Sequence, residues 1–133
     1  MSKIKLLLIL AILIIAFSVH AEESKQLRIY ISNQSFIKSH ENITLVVNGI
    51  ELYRKILPVK WQHYYETFSV DTTNDTKQWI SVVANDTNVS SVFGIDSNDA
   101  NNDTWVSVEY WYDKDNKRGY FTFATGHGVF LID

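Results

Sequence analysis

The chain contains no cysteine. This absence excludes a small secreted scaffold held by disulfides, and it excludes a lipoprotein anchored through an acylated thiol. The 133 residues suffice for one domain, and a domain of that size can bury enough apolar surface to fold without cross-links. An exported protein without disulfides fits a bacterial periplasm or cell surface better than a eukaryotic secretory pathway.

The chain also lacks an excess of basic residues. It has 12 Lys and Arg against 15 Asp and Glu, so its formal net charge is −3. Nonspecific binding to nucleic acids depends on many lysine and arginine contacts with phosphates. We therefore expect no nucleic-acid partner.

Motifs with a known catalytic mechanism are missing as well. The sequence has no G-x-S-x-G motif and no cysteine nucleophile. Outside the first 21 residues the histidines are His40, His63 and His127, and no two of them share a spacing typical of metal ligands. We expect no enzyme activity, no cofactor and no metal. A small hydrolase built on His63 and Glu109 remains an alternative.

The first 21 residues have the pattern of a secretory signal peptide. Lys3 and Lys5 precede a short apolar run at 6–17, and Val-His-Ala at 19–21 resembles a cleavage site. The apolar run is shorter than the roughly 20 residues that span a bilayer. We predict a cleaved signal peptide at 1–21, a single domain at 22–133, a periplasmic or secreted location, and no stable membrane insertion after cleavage. An uncleaved N-terminal anchor is the alternative.

No window of helical length shows a 3.6-residue period. Short alternating or β-branched runs are instead separated by turn residues, which favours an all-β antiparallel sandwich of seven to eight strands. Asn48-Gly49 lies between two such runs and predicts a tight hairpin. The predicted strands lie at 27–33, 43–47, 50–56, 64–70, 78–84, 89–95, 103–112 and 119–125, and Val129–Ile132 is a candidate edge strand.

The segment Asp103–Tyr112 is long, β-branched and aromatic, as expected for a strand near the centre of a sheet. Side chains alternate between the two faces of a strand, so one face is apolar enough to be core. The other face combines two indoles with a serine and a carboxylate, and indoles on an outer face need a cover or a ligand. The predicted core face carries Val106, Val108, Tyr110 and Tyr112, and the opposite face carries Trp105, Ser107, Glu109 and Trp111.

These aromatics form a candidate ligand platform, because binding surfaces are mainly apolar with a few placed polar groups. We expect an exported noncatalytic module that binds a glycan, a cell-envelope component or a protein partner. The alternatives are that the same aromatics are buried in the core, or that the protein is a structural protein that assembles through an edge strand. The candidate ligand-binding residues are Trp61, His63, Trp79, Trp105, Ser107, Glu109 and Trp111.

Several segments occur in an order that resembles a known group. These are Tyr30–Phe36 (Y-I-S-N-Q-S-F), Val46–Gly49, Gln62–His63, Trp105–Tyr112 and Phe121–Phe123. Together they resemble a group of small uncharacterised exported bacterial β-sandwich proteins. The resemblance implies an immunoglobulin-like sandwich and export, but no activity. The chain departs from the group by having two tyrosines after Gln62–His63, where tryptophan is more usual.

Two further patterns have simpler interpretations. Six N-x-[ST] sequons occur, which would indicate glycosylation in a eukaryotic secreted protein, but a chain rich in Asn, Ser and Thr produces them by chance. The acidic loop at 96–103 is rich in the oxygen ligands that Ca²⁺ prefers. Ala100 and Asn101 break the calcium-loop pattern, and the composition is also that of a solvated turn.

Overall fold

The computed structural model of the chain describes Lys3 and residues 25–38, 40–59, 64–73, 77–97, 99–100 and 103–131. The predicted signal peptide, Trp61 and His63 lie outside the described residues, except for Lys3. No helix among the described residues is long and apolar enough to cross a membrane.

The described residues form eight strands in two four-stranded sheets. Sheet A has the strand order β4-β1-β7-β8, and sheet B has the order β3-β2-β5-β6. The predicted all-β sandwich is confirmed, and the immunoglobulin-like connectivity stays a prediction. The strands are β1 (Gln26–Asn33), β2 (His40–Val47), β3 (Ile50–Pro58), β4 (Glu66–Asp71), β5 (Lys77–Ala84), β6 (Val89–Asp96), β7 (Thr104–Asp113) and β8 (Arg118–His127).

One strand pair departs from the predicted antiparallel pattern. β1 and β7 are parallel neighbours, with Arg28 beside Trp105 and Ser32 beside Glu109. The other described strand pairs are antiparallel. Hairpin signals concern strands that follow each other along the chain. They carry no information about the distant strand beside which β1 lies, so this pairing was not predictable from them.

The core lies between the two sheets and is built from the predicted inward faces. Alternating side chains of β1, β2, β5 and β7 point into this layer, as expected for strands with one buried face. Their spacing confirms the inward faces predicted for β1 and β5, and that of β7 as far as Tyr110. Tyr112, predicted for the core face, is only partly buried because it lies near the end of β7. The side chains with at most 1% exposure include Leu27, Ile29, Ile31, Ile43, Leu45, Ile80, Val82, Ala84, Val106, Val108 and Tyr110.

The Asn48-Gly49 hairpin is also confirmed. Both residues have positive φ, 50° at Asn48 and 79° at Gly49, as a two-residue turn of type I′ requires. The Asn48 side chain then connects the turn to β5. Its Nδ2 donates to Gln78 Oε1 at 2.7 Å, and its Oδ1 accepts the Trp79 backbone N–H at 2.9 Å.

The predicted edge strand at Val129–Ile132 is wrong for its described part, because residues 128–131 are not in a strand. Gly128 has φ of 79° and donates its backbone N–H to Asp103 O at 2.8 Å. This turn directs the tail, which we define as residues 128–131, away from the sheet edge. The tail carries Phe130 onto the outer face of sheet A.

Candidate functional site

The outer face of sheet A collects the polar and aromatic side chains that point away from the core. The β7–β8 register places Trp105 opposite Gly126, Glu109 opposite Thr122 and Trp111 opposite Tyr120. The parallel β1–β7 register adds Arg28, Tyr30 and Ser32 to the same face. This face has two differently built ends.

The closed end consists of Tyr30, Tyr65, Trp105 and Phe130. The Phe130 ring stacks on Tyr30 with centroids 4.1 Å apart and planes 20° apart. It meets Tyr65 edge-on at 5.1 Å and Trp105 at 4.8 Å. Aromatic pairs at these distances are favourable beyond their buried area. The tail therefore covers Trp105.

The Trp105 indole also lies against the backbone of β8. A Cβ atom built on Gly126 would be only 2.2 Å from Trp105 Cζ2. Real Cβ atoms do not approach other atoms so closely, so Trp105 fits in this position only because residue 126 is glycine.

Arg28 holds the start of the tail at the closed end by hydrogen bonds. Its guanidinium Nη2 donates to the backbone oxygens of Asp103, at 3.0 Å, and Gly128. Among the residues that the structure describes, Arg28 Nε and Trp105 Nε1 are buried and have no hydrogen-bond partner. An unsatisfied buried donor costs about 1–3 kcal/mol. Within the described part of the chain, the closed end therefore contains two buried donors without an acceptor.

The open end consists of Glu109, Trp111, Tyr120 and Thr122. The Glu109 carboxylate accepts hydrogen bonds from Tyr65 Oη at 2.7 Å and from Trp111 Nε1 at 3.2 Å. Trp111 Nε1 also lies 3.2 Å from Thr122 Oγ1. These bonds fix the orientation of the indole and the carboxylate.

A shallow depression adjoins the open end. It is lined by Asp113, Asn116, Arg118 and Tyr120, and the Tyr120 side chain is 40% exposed. Asp113 accepts hydrogen bonds from the side chain and backbone N–H of Asn116, and these hydrogen bonds lower the pKa of Asp113. The depression therefore offers a carboxylate, an amide and a guanidinium beside an exposed ring.

Tyr65 connects the two ends of the face. Burial raises the pKa of Tyr65 to about 12, and the hydrogen bond to Glu109 and its negative charge add to the effect. A tyrosinate beside Glu109 would have no proton to donate and would repel the carboxylate. The phenol therefore stays protonated and keeps Glu109 in place over the ordinary pH range.

We expect Tyr65→Phe to lower the free energy of unfolding by about 1 kcal/mol at neutral pH, because it deletes the hydrogen bond to Glu109. The Tyr65 pKa is higher in the folded protein than its ordinary value of 10.0, so the unfolded chain loses this proton first. The contribution of Tyr65 to stability is thus complete below pH 10.0 and declines as the pH rises toward about 12. Denaturation curves of both proteins across that range test this expectation. A stability difference that grew with pH would contradict it.

The structure brings some of the predicted ligand-binding residues together and separates others. Trp105, Ser107, Glu109 and Trp111 share the outer face of sheet A, with Ser107 buried between the two ends. Trp79 lies on the outer face of sheet B, where it is 51% exposed. It therefore cannot belong to the same platform. That Trp61 and His63 contribute to a site stays a prediction, and so does the hydrolase built on His63 and Glu109.

Five residues of this face were not among the predicted site residues: Arg28, Tyr30, Tyr65, Tyr120 and Phe130. Tyr120 could have been predicted from the sequence, because the predicted hairpin between β7 and β8 places it opposite Trp111. The other four depend on contacts between distant parts of the chain. No local pattern indicates that the tail turns back onto β1 and β7.

The acidic loop forms a turn in its described part. The backbone N–H groups of Asp99 and Ala100 donate to Asp96 O at 2.9 and 3.1 Å. Thr104 Oγ1 donates to Asp99 O at 2.6 Å. Within the described ranges, no group of three or more His, Cys, Asp or Glu side chains has a metal-binding arrangement.

Comparisons of the chain with protein-family models, curated proteins and solved structures give no match. The resemblance to the small exported bacterial proteins therefore stays a prediction.

Proposed function

We propose that the protein is an exported noncatalytic binding module and that it binds a glycan at the open end of sheet A. One observation carries the proposal. The Trp111 indole is held by Glu109 and Thr122 directly opposite the exposed ring of Tyr120. The open end thus combines an oriented indole with an exposed phenol ring on the neighbouring strand, and hydrogen-bonding groups lie at its margin.

The chemistry of the open end suits a sugar. The C–H face of a sugar ring gains dispersion energy on a flat aromatic surface, and its hydroxyl groups need both donors and acceptors. Glu109 supplies acceptors, while Asn116 and Arg118 in the adjoining depression supply donors. Because Trp111 is already oriented, binding loses little side-chain entropy, which favours affinity.

The proposed platform is smaller than the one that the sequence suggested. Phe130 covers Trp105, and Trp79 lies on the other sheet. Trp111 and Tyr120 are thus the aromatic residues that we assign to the ligand. The alternative of assembly through an edge strand at 129–132 loses its motivation, because the tail lies on the face of sheet A and not at its edge.

The location is part of the proposal. A signal peptide at 1–21 would send the domain to the periplasm or outside the cell, where cell-envelope glycans are accessible. Detection of the processed protein in the periplasmic or extracellular fraction of a bacterial host would support export. Retention of the unprocessed chain in the cytoplasm would contradict it.

A glycan array and a peptidoglycan pull-down should identify a ligand. Calorimetry then measures the affinity of the protein for that ligand. We expect Trp111→Ala to weaken binding at least about tenfold, since a few aromatic anchors dominate binding energy. Tyr120→Ala should weaken it less. Trp79→Ala is the matched control, because it removes an exposed indole from sheet B, and its affinity should equal that of the wild type.

Two outcomes would overturn the proposal. One is that the folded wild-type protein retains no glycan on the array or in the pull-down. The other is that Trp111→Ala and Tyr120→Ala both bind with wild-type affinity. Circular dichroism of each variant separates a loss of binding from a loss of folding.

A further inference from the structure

The edge strands of the two sheets differ in how they are protected from pairing. Among the described strands, sheet A ends at β4 and β8, and sheet B ends at β3 and β6. An edge strand exposes unpaired backbone N–H and C=O groups, which another strand can recognise. Monomeric proteins usually block such edges with charged residues, proline, bulges or short strands.

β3 and β4 carry these protections. β3 contains Glu51, Arg54 and Lys55, ends at Pro58, and pairs with β2 through a register shift. β4 is only six residues long and has Glu66 and Asp71 at its ends. Neither edge is suited to pairing with another strand.

β8 and β6 lack these protective features. β8 is ten residues long, has no charged residue between Arg118 and His127, contains no proline, and pairs with β7 without a register shift. In β6 the only charged residue is Asp96, at the end of the strand. β8 in particular has the length and composition of a strand that accepts a neighbour.

These two open edges lie on the same side of the sandwich. The Phe93 ring of β6 stacks on the Phe123 ring of β8, with centroids 5.0 Å apart and planes 9° apart. One side of the sandwich is therefore protected in both sheets, and the other side is open in both.

We propose that β8 pairs antiparallel with β8 of a second copy of this chain, so that the two A sheets form one continuous sheet. A two-fold axis perpendicular to the sheet relates antiparallel strands of this kind, and it brings each edge toward its own copy. Charged residues near the axis would then meet like charges, so a self-pairing edge has to be uncharged there. The same axis brings the two β6 strands toward each other, which explains why that edge is uncharged too.

The pairing has a consequence for the outer face. Because the axis is perpendicular to the sheet, both outer faces lie on the same side of the dimer. The two open ends would then face the same surface. Two sites in one plane raise the apparent affinity for a repeating ligand without any new contact.

Sedimentation equilibrium of the purified protein over a range of concentrations tests the proposal. We expect the wild type to dimerise, and we expect the double variant A124K/T125K on β8 to raise the dimer dissociation constant at least about tenfold. High salt should partly restore the dimer of this variant, because it screens exposed charges. The matched control is T67K/S69K, which places two lysines at exposed positions of β4 and should dimerise as the wild type does.

Hydrogen exchange gives an independent measure. In the dimer, the amides of β8 that point away from β7 should become protected as the concentration rises, while those of β4 should not. If the β8 variant fails to fold, S90K on β6 replaces it as the test variant. S90K should also weaken the dimer. A wild type that stays monomeric at every concentration would overturn the proposal, as would equal dimerisation of the β8 and β4 variants.

Discussion

Replacing Tyr110 with alanine should lower the free energy of unfolding by about 3–5 kcal/mol, the range found when a large core aromatic is truncated. Tyr110 is fully buried between the two sheets and packs against Phe121 with ring centroids 5.4 Å apart. Its hydroxyl lies 2.9 Å from Thr87 Oγ1, so the side chain also connects sheet A to the β5–β6 turn. Alanine would leave a cavity that the surrounding strands cannot fill.

The matched variant is Tyr110→Phe, which keeps the ring and deletes only the hydroxyl group. It should cost about 1 kcal/mol, since it removes one hydrogen bond and leaves Thr87 partly solvated. Chemical denaturation monitored by circular dichroism measures both changes. If Tyr110→Ala were as stable as Tyr110→Phe, the placement of this side chain in the core would be wrong.

Gly126→Ala should be the most damaging single methyl addition on the outer face of sheet A. The new Cβ would be 2.2 Å from Trp105 Cζ2, so the indole has to leave its position and Phe130 has to move with it. We expect a loss of about 1–3 kcal/mol, as for overpacked sites in general. A shift of tryptophan fluorescence toward that of a solvated indole should accompany the loss.

Two controls isolate the cause. In Gly94→Ala the new Cβ would be 2.8 Å from Trp79 Cζ3, but that indole is exposed and can move aside, so the cost should be smaller. In a Trp105→Ala background, Gly126→Ala should lose most of its penalty, because the clashing partner is gone. Additive effects of Gly126→Ala and Trp105→Ala would contradict the close contact.

The features predicted correctly from the sequence are those that local patterns determine. Alternation along β1, β5 and β7 identified the buried faces, because a strand places successive side chains on opposite sides. Asn48-Gly49 identified the hairpin, because few other residue pairs adopt two successive positive φ angles at low cost.

Contacts between distant segments were not predictable in this way. Alternation assigns Trp79 and Trp105 to outer faces but does not say that they lie on different sheets. The apolar residues of the tail suggested a strand, yet Gly128 turns the chain and Phe130 finds three aromatic partners on sheet A. That cluster exists only because β1 and β7 are neighbours, which no local pattern in either strand indicates.

The most direct test of the proposed site is to titrate the glycan found on the array into the protein while the indole N–H resonances of the tryptophans are followed by NMR. Single substitutions of each tryptophan assign the signals. We expect the Trp111 resonance to shift and saturate with the measured affinity, while the Trp79 resonance stays in place. A saturating shift of Trp79 or Trp105 with Trp111 unchanged would show that the ligand binds elsewhere and would contradict the proposal.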